Sequence, residues 1–313
     1  MKVAIIGAGP AGLSAARELI KGNISVVIFD ANSRSGGQYW RHGVRDQFPD
    51  QNFASLVEER SIDWKFGSSI WQVEKLNPGF RIHYVMNQKS QSLDVEKILI
   101  ASGASERVLP FKNWTAPGVF TAGAAQAMAK EHQLLLGKKI VIAGSGVFAL
   151  PVAKSLLALA DDVEKEITIG IVEARSFIRW WRNIPGFLLN PRKALEALEY
   201  LNLIRTKRIK RYMKSVVTEA VIKSGEISAV RVAKLNRFLE IRKNIFEIEC
   251  DFLATSFGFV PDMTIASIMG LERIFQNGDA VIRIDKNQRT SLVDVWAAGE
   301  VTGIGGHDLA ITE

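Results

Sequence analysis

The first thirty residues constrain the fold more than any other part of the chain. An apolar run (KVAII, residues 2–6) leads into the glycine-rich turn GAGPAG, and a second apolar run, SVVIFD, ends at Asp30. Between them, apolar residues recur with the spacing of an amphipathic helix, from about Ala11 to Lys21. Two strands joined by one helix in so short a segment predict a right-handed βαβ unit, and therefore a parallel sheet.

The glycine turn predicts a phosphate-binding site. Gly7 permits the tight turn, Gly9 lets a pyrophosphate approach the backbone, and Gly12 lets the helix pack closely on the strand. Pro10 suits the first helical turn, where free N–H groups and the helix dipole attract anions. Asp30 stands where an acid accepts hydrogen bonds from an adenosine ribose. The candidate residues for a dinucleotide are Gly7, Gly9, Pro10, Ala11, Gly12, Asp30 and Ala31.

A second fingerprint follows in the middle of the chain. The turn GSGVFA (residues 144–149) lies between a predicted strand, 139–143, and a predicted helix, about 147–159. Ala149 takes the third glycine position, which the pattern allows. Glu173, at the end of the next strand, favours NAD over NADP, whereas the arginines that follow it could meet a 2′-phosphate. The occupant stays open between NAD(P), another adenine nucleotide and none. These arginines are Arg175, Arg179 and Arg182.

Small residues end three further apolar strands. In ILIASG (98–103) and FLATSFG (252–258) they would let the chain pass close to a bound nucleotide. In VWAAGEVTG (295–303), Gly299 and Glu300 follow a strand, so the carboxylate could accept hydrogen bonds from ribitol hydroxyls or act only as a helix N-terminal charge. These strands add Ala101, Ser102, Gly103, Gly299 and Glu300 to the first site. The second site comprises Gly144, Gly146, Ala149, Glu173 and Gly258.

The duplicated pattern predicts an α/β fold with two Rossmann-like dinucleotide-binding domains. The second domain is inserted in the first, and each carries a small β-meander. We place the first domain at residues 1–115 plus 257–313 and the second at 116–256, with a crossing at Pro117 and Gly118. In the first domain, β-rich stretches at 70–76, 80–86 and 92–101 follow a predicted helix over 51–60. In the second, a helix is predicted over 122–136.

Composition narrows the possible functions. The single cysteine, Cys250, excludes an internal disulfide and a cysteine-based metal cluster, and it suits the reducing cytoplasm. The chain opens directly in a strand, and its most apolar window, 140–160, is typical of strand, turn and helix, so neither a signal peptide nor a membrane span is expected. The basic run RTKRIKRYMK (205–214) lacks a nucleic-acid motif, which favours a solvated strand face over nucleic-acid or membrane contact.

With these motifs in place, the chain resembles the flavoproteins with two dinucleotide-binding domains, the glutathione and thioredoxin reductase class. The segments GGQYWR (36–41), ASGASERVLPFKNWTAPGVFTAGAAQ (101–126) and AAGEVTGIGG (297–306) are more specific. They resemble the FAD-binding subunits of heteromeric opine oxidase, hydrogen cyanide synthase and dye-linked proline dehydrogenase. In that group a glutamate replaces the usual aspartate before the final helix, as Glu300 does here.

The resemblance implies FAD as cofactor. Gly36, Gly37 and Gln38 would lie along the FAD, Val73 would meet the adenine, and Gly299 with Glu300 would hold the ribitol and pyrophosphate. The redox CxxC of the disulfide reductases does not occur in this sequence, which argues against their activity. The subunits it resembles run on beyond the position of Glu313, which falls partway into the helix that closes the flavin site.

Three functions follow from the sequence. The first is an FAD-containing subunit of an amino-acid, imino-acid or opine dehydrogenase, with a small-molecule substrate and a partner subunit. The second is a stand-alone NAD(P)H-dependent flavin reductase. The third is a non-enzymatic nucleotide-binding homologue. No residue stands out as a general acid or base, since His42, His83 and His132 are scattered along the chain. Trp180, Trp181 and Phe187 would suit a partner interface.

Overall fold

The chain forms two compact units. A computed structural model describes residues 1–42, 48–59, 61–146, 148–175, 202–203 and 205–312. The first unit consists of Met1–Ser105 and Phe259–Glu313, and the second of Glu106–Gly258. The second unit is thus an insertion in the sequence of the first. The functional domain boundaries expected from the sequence, at 115/116 and 256/257, stay a prediction.

The helices and strands fall into three successive segments of the chain. The first unit begins with β1 (Lys2–Ile6), α1 (Pro10–Lys21), β2 (Ser25–Asp30), α2 (Gln51–Val57), β3 (Ile62–Phe66), β4 (Ser69–Lys75), β5 (Phe80–Met86), β6 (Lys89–Val95), β7 (Lys97–Ile100) and β8 (Ala104–Glu106). The inserted unit continues with β9 (Val119–Thr121), α3 (Ala122–His132), β10 (Lys139–Gly144), α4 (Ala149–Asp162), β11 (Thr168–Glu173), β12 (Ile209–Met213), β13 (Ser215–Lys223), β14 (Glu226–Leu235), β15 (Ile241–Glu249) and β16 (Phe252–Ser256). The chain then returns through β17 (Phe259–Pro261), α5 (Thr264–Ile268), β18 (Arg273–Gln276), β19 (Asp279–Ile282), β20 (Val295–Ala297), a 3-10 turn (Gly299–Val301) and α6 (His307–Thr312).

Each unit is built on a five-stranded parallel sheet. The order in the first unit is β20-β7-β1-β2-β3, and in the second it is β12-β11-β10-β16-β9. The strand that precedes the glycine turn is central in both sheets. The two sheets differ in the strand that ends the side beyond β7 or β16. In the first unit it is β20, from near the end of the chain, whereas in the second it is β9, which comes before the other strands of its sheet. The two predicted Rossmann-like domains are therefore confirmed as a fold.

Both faces of each sheet are covered, which explains the almost uninterrupted apolar strands. In the first unit, Ile5 packs with Leu13 of α1, while Ala4 and Ile6 pack on the opposite side with residues of the meander β4-β5-β6. In the second unit, Ile142 lies in the cluster formed with α3 and α4, whereas the alternate strand residues Val141 and Ala143 pack against the meander β13-β14-β15. Neighbouring residues of a strand point to opposite faces of the sheet, so each central strand contributes side chains to the hydrophobic clusters on both faces.

Several predicted elements are correct in kind but not in extent. The helix predicted over 51–60 ends at Val57, and the one predicted over 122–136 ends at His132. The stretch predicted as one strand, 92–101, forms parts of two strands, because β6 belongs to the meander and β7 to the parallel sheet. Strand β3 was not predicted; its sequence, IDWKF, carries a weak alternation.

The aromatic pair at the core of the second unit provides a stability test. Phe252 is 1% exposed, and its ring stacks on Phe120 with the ring centres 5.1 Å apart. We expect Phe252→Ala to lower the free energy of unfolding by about 3–5 kcal/mol, because the change leaves a cavity. Urea unfolding followed by circular dichroism measures this. The matched control is Phe275→Ala, since Phe275 is 84% exposed and its loss should change stability by about 0.5 kcal/mol or less. Equal effects of the two changes would contradict the buried packing of Phe252.

Candidate functional site

The glycine turn after β1 is shaped by the close approach of a neighbouring strand end. Gly7 has φ +112°, and a Cβ at this position would lie 2.1 Å from the carbonyl oxygen of Ala101. Its N–H donates to the carbonyl of Phe29 at 2.8 Å. A Cβ on Gly12 would lie 2.0 Å from the carbonyl oxygen of Gly7, so α1 packs directly on the turn. No residue with a side chain fits at either position.

The start of α1 presents free backbone donors. Gly9 is the N-cap residue, it offers no side-chain cap, and Pro10 occupies the first helical turn. The first N–H groups of a helix lack partners within the helix and carry partial positive charge. A Cβ added to Gly9 would meet only the Cα of Gly37, at 4.0 Å. The space beside Gly9 therefore stays open next to donors that suit an anion.

Asp30 holds the turn from the end of β2. Its carboxylate is buried, and it accepts hydrogen bonds from the N–H of Ala8 at 2.7 Å and from the N–H of Asn32 at 2.8 Å. The Asn32 side chain donates to the same carboxylate at 2.9 Å. These bonds fix the turn and the loop after β2 relative to each other. Ala31, which lies within that loop, is exposed.

The segment GGQ lies against the glycine turn. The N–H of Gly36 donates to the carbonyl of Ala8 at 2.8 Å, and Gly37 packs against Gly9. Gln38 donates from Nε2 to the carbonyl of Ala104 at 3.1 Å, which connects this segment to the region after β7. The three residues thus form one wall beside the start of α1, although they are far from it in sequence.

The ends of β7 and β20 complete the same edge of the sheet. The N–H of Ala101 donates to the carbonyl of Ile6 at 2.8 Å, and the N–H of Ala298 donates to the carbonyl of Ile100 at 3.0 Å. Gly299 has φ +80°, and a Cβ there would lie 2.8 Å from the Cβ of Ala11. These carboxyl ends therefore meet at the turn that begins α1.

Glu300 follows Gly299 in the 3-10 turn and is half-buried. Burial raises the pKa of its carboxyl above the ordinary glutamate value. The residue before Glu300, Gly299, contacts Ala11 of α1. A partly desolvated carboxyl gains from a hydrogen-bonding ligand, because burial of a polar group costs free energy until a partner is supplied.

Three further predicted residues, Ser102, Gly103 and Val73, contact parts of the first unit other than the start of α1. Ser102 donates from Oγ to the carbonyl of Asp262 at 3.3 Å, and the carbonyl of Gly103 accepts from the N–H of Asp262 at 2.9 Å. These two contacts tie the loop after β7 to the segment before α5. Val73 lies in β4 and is 7% exposed, within the apolar cluster below the sheet. Its side chain is therefore engaged in the core, and a role toward adenine would fall to its backbone.

The second glycine turn repeats the design in the inserted unit. A Cβ on Gly144 would lie 1.6 Å from the carbonyl oxygen of Ser256, which also accepts the N–H of Ser145 at 2.8 Å. Gly146 has φ +116° and open space where a Cβ would stand. Ala149 begins α4 and is buried. Gly258 has φ +90°, and its carbonyl accepts the N–H of Arg107 at 2.8 Å.

Glu173 corresponds in position to Asp30. It is 2% exposed, and its two oxygens accept the N–H groups of Gly146 at 3.0 Å and of Arg175 at 2.9 Å. Burial raises the pKa of this carboxyl, although these two hydrogen bonds and the charge of Arg175 act in the opposite direction. Arg175 itself is exposed. Arg179, Arg182, Trp180, Trp181 and Phe187 lie outside the described residues.

Sequence reasoning missed three residues at these sites. Ala8 links Asp30 to Gly36, Ala104 receives Gln38, and Ser256 closes against Gly144. All three act through backbone groups, so their side chains carry no signal. The pairing of β10 with β16 up to Gly144 and Ser256 could have been found only from the register of the strands.

Other kinds of site find no support in the described ranges. Within them, no group of three or more histidine, cysteine, aspartate or glutamate residues is placed to hold a metal ion. Cys250 is 2% exposed, and burial raises the pKa of its thiol to about 12, so it is unsuited to redox exchange. Among the helices described, none is both long and apolar enough to cross a membrane.

We call the arrangement around the start of α1 in the first unit the cradle, and it fits a dinucleotide. It combines the unblocked helix start, an opening at Gly9 that a side chain would fill, and Gly299 against Ala11, followed directly by the half-buried Glu300. Phosphate oxygens are acceptors only and suit the N–H donors, while hydroxyl groups suit carboxylates. This donor and acceptor set agrees with a pyrophosphate and a polyol, which FAD contains.

The comparisons with known proteins agree with this geometry. The profile of the pyridine nucleotide-disulphide oxidoreductases matches residues 1–312. The hydrogen cyanide synthase subunit HcnB of Pseudomonas aeruginosa is 29% identical over 99% of this chain and 68% of its own length. One of the opine oxidase subunits of Agrobacterium tumefaciens is 26% identical over 98% of this chain. The chain spans 62% of that opine oxidase subunit, so it is similar to part of a longer protein.

A solved structure shows the same fold. L-proline dehydrogenase from P. horikoshii superposes with a TM-score of 0.69 at 19% identity, covering 100% of this chain and 53% of the other. The resemblance predicted from the sequence motifs is confirmed. The chain is an FAD-dependent oxidoreductase, and with a single cysteine it lacks the redox disulfide. The chain belongs to the pyridine nucleotide-disulphide oxidoreductase family.

Proposed function

We propose that the chain is the FAD-binding subunit of a heteromeric dehydrogenase that oxidises an amino acid, an imino acid or an opine. The observation that carries the proposal is the cradle at the start of α1, with its opening at Gly9. The names of the relatives supply the reaction class, since the two relatives described above, similar over 98–99% of the chain, are subunits of hydrogen cyanide synthase and of opine oxidase.

Each part of the cradle has a role toward FAD in this proposal. The N–H groups of the first turn of α1 bind the pyrophosphate, and Gly9 leaves room for its approach. The segment 36–38 lines one side, and the segment 101–103 lines another. Asp30 supports the turn from behind and offers its remaining lone pairs to the adenosine ribose. Glu300 accepts hydrogen bonds from ribitol hydroxyls, which gives its partly desolvated carboxyl a partner.

When bound, FAD would supply the redox chemistry, because its ring can take up and give up electrons. The chain's own residues orient it and shield it from water. No side chain described near the cradle is assigned as a general acid or base, so substrate oxidation is assigned to the partner subunit. A small-molecule substrate and this partner are therefore both part of the proposal.

The second unit supports a second candidate function. Its glycine turn, with Gly144 against Ser256 and Gly146 open, has the form of a nucleotide site. An occupant with a free ribose 2′-hydroxyl suits the acidic end of β11, where Glu173 lies. A nicotinamide cofactor at this site would make the chain a stand-alone NAD(P)H-dependent flavin reductase. Another adenine nucleotide would instead serve as a structural ligand of the protein.

The opening at Gly9 gives the most direct test of the FAD site. Gly9→Ala should fold normally, because φ is −80° and the new methyl group meets only Gly37 Cα at 4.0 Å. The methyl group would stand where the pyrophosphate approaches, and overpacking costs about 1–3 kcal/mol. We therefore expect the dissociation constant of FAD to rise roughly tenfold or more, as measured by titration of flavin fluorescence with the apoprotein.

The control for this change lies at the other end of the same helix. Gly22→Ala adds a methyl group 3.3 Å from the carbonyl of Leu19, at φ −82°, far along α1 from the cradle. It should leave FAD affinity unchanged. Unaltered FAD binding in Gly9→Ala, with both variants equally stable, would sink the proposed placement of the pyrophosphate.

Glu300 provides a test that depends on pH. Burial raises the pKa of Glu300 in the folded state. In acid this carboxyl is protonated in both the folded and the unfolded chain, so it does not lower the free energy of unfolding there. As the pH rises through the unfolded value of about 4.3, the unfolded chain ionises first and the folded state loses stability. Without FAD, Glu300→Gln should therefore gain stability over the native chain as the pH rises from about 4.3 to the raised pKa of the folded state, and should keep that gain above it.

Urea unfolding of the apoprotein at several pH values measures this difference, and the exposed Glu226→Gln is the control. A stability difference that does not vary with pH would contradict the buried carboxyl. In the Glu300→Gln variant, weaker FAD binding is expected from the loss of the charged acceptor. Unchanged FAD affinity would remove Glu300 from the proposed site.

An anaerobic visible spectrum separates the two candidate functions. In the favoured proposal, the oxidised flavin band of the purified chain is unchanged by NADH or NADPH, because electrons enter from the partner subunit. Bleaching by either nucleotide would instead establish the reductase. Addition of proline, an opine or another amino acid should bleach the flavin only after the partner chain is supplied.

A further inference from the structure

The basic run in the second unit ends beside a second basic segment. Strand β12 forms the outer edge of its sheet, with Lys210 exposed along it. At its end, the carbonyl of Lys214 accepts the N–H of Leu235 at 2.7 Å, and the carbonyl of Met213 accepts from Lys234 Nζ at 3.3 Å. The end of the basic run, at Met213 and Lys214, therefore meets the end of β14, where the hairpin between β14 and β15 begins.

That hairpin carries large apolar side chains in solvent. We call residues 236–245 the hairpin tip. Within it, Phe238 is 67% exposed, Leu239 56%, Ile241 61% and Ile245 54%. Ile241 and Ile245 both lie on β15, on either side of an irregularity in its pairing with β14. A concentration of exposed apolar groups of this kind marks a protein or membrane interaction site.

Basic residues lie close to these apolar groups in the sequence. The segment KLNRFLEIRK, residues 234–243, contains four basic residues and one acid, Glu240. The Glu240 carboxylate accepts a hydrogen bond from Asn236 Nδ2 at 2.7 Å within the tip. Arg237 lies over the ring of Phe238, 4.6 Å from its centre, so cation and apolar group project together. The tip thus carries its exposed apolar side chains together with the exposed Arg237 and Arg242.

We propose that the hairpin tip docks this protein on an anionic lipid bilayer. The cations complement the negative surface of such a bilayer, and each adds favourable energy near it. Phe238 and Leu239 then enter the boundary between headgroups and acyl chains, as the apolar side of an interfacial segment does. A bilayer needs no matching pocket for a projecting tip. An acidic protein partner would need both a cavity and a rim of carboxylates shaped to it.

Sedimentation with lipid vesicles tests this docking on the purified full chain. Vesicles of phosphatidylcholine alone are compared with vesicles that contain a third phosphatidylglycerol, in low and in high salt. We expect the chain to sediment with the anionic vesicles and to be released by high salt, because screening weakens the attraction. Arg237→Ala with Arg242→Ala should lower partitioning on the order of tenfold. Phe238→Ser with Leu239→Ser should abolish it.

The control variant is Phe275→Ser, on the hairpin of β18 and β19, where the side chain is 84% exposed but lies outside the hairpin tip. It should bind vesicles as the native chain does. All variants are compared by circular dichroism and flavin content, so misfolding is recognised separately. Absence of binding to anionic vesicles would overturn the proposal, as would binding that persists in Phe238→Ser with Leu239→Ser. An equal loss of vesicle binding in Phe275→Ser would also overturn the proposal. Binding of the hairpin tip to an acidic protein, without binding to vesicles, would overturn it too.

Discussion

The close approach of backbone at the ends of the central strands is the constraint on which both units depend. A Cβ on Gly7 would lie 2.1 Å from Ala101 O, and one on Gly144 would lie 1.6 Å from Ser256 O. Since no side chain fits there, two neighbouring strands can end together and the following helix can begin directly above them. The free donors at the start of α1 face outward from this junction. A dinucleotide can therefore meet backbone N–H groups without an intervening side chain.

Buried acids stabilise these junctions in both units. Asp30 binds the N–H of Ala8, whereas the longer Glu173 binds the N–H of Gly146, one position further along its turn. Each acid also binds the loop that follows its own strand. An acid at this position of the fold serves the ribose of a bound nucleotide, but in this protein each carboxylate also holds the turn in shape. Changing either residue would therefore disturb the protein before it disturbed a ligand.

Much of the fold was predictable because it follows from local spacing. The glycine turns, the helices after them and the strand ends at Asp30 and Glu173 lie within short segments whose periodicity is clear. Strand β3 has little apolar alternation, so its sequence predicts no strand, and the stretch 92–101 predicts a single strand because only sheet pairing separates β6 from β7. The candidate site was anticipated as a set of motifs. The backbone partners Ala8, Ala104 and Ser256 could not be, because their roles depend on strand register.

The sequence by itself determined the two glycine turns, their acids and the class of ligand that they suit, because these features depend on residues within about thirty positions of one another. Only the tertiary structure decided that Gly37, Ala101 and Gly299 surround one helix start, since parallel pairing brings distant strand ends to a common edge. It likewise decided that the basic run ends, at Met213 and Lys214, beside the base of the hairpin that carries the apolar tip. Such neighbours are set by the register and order of strands, which local periodicity does not encode.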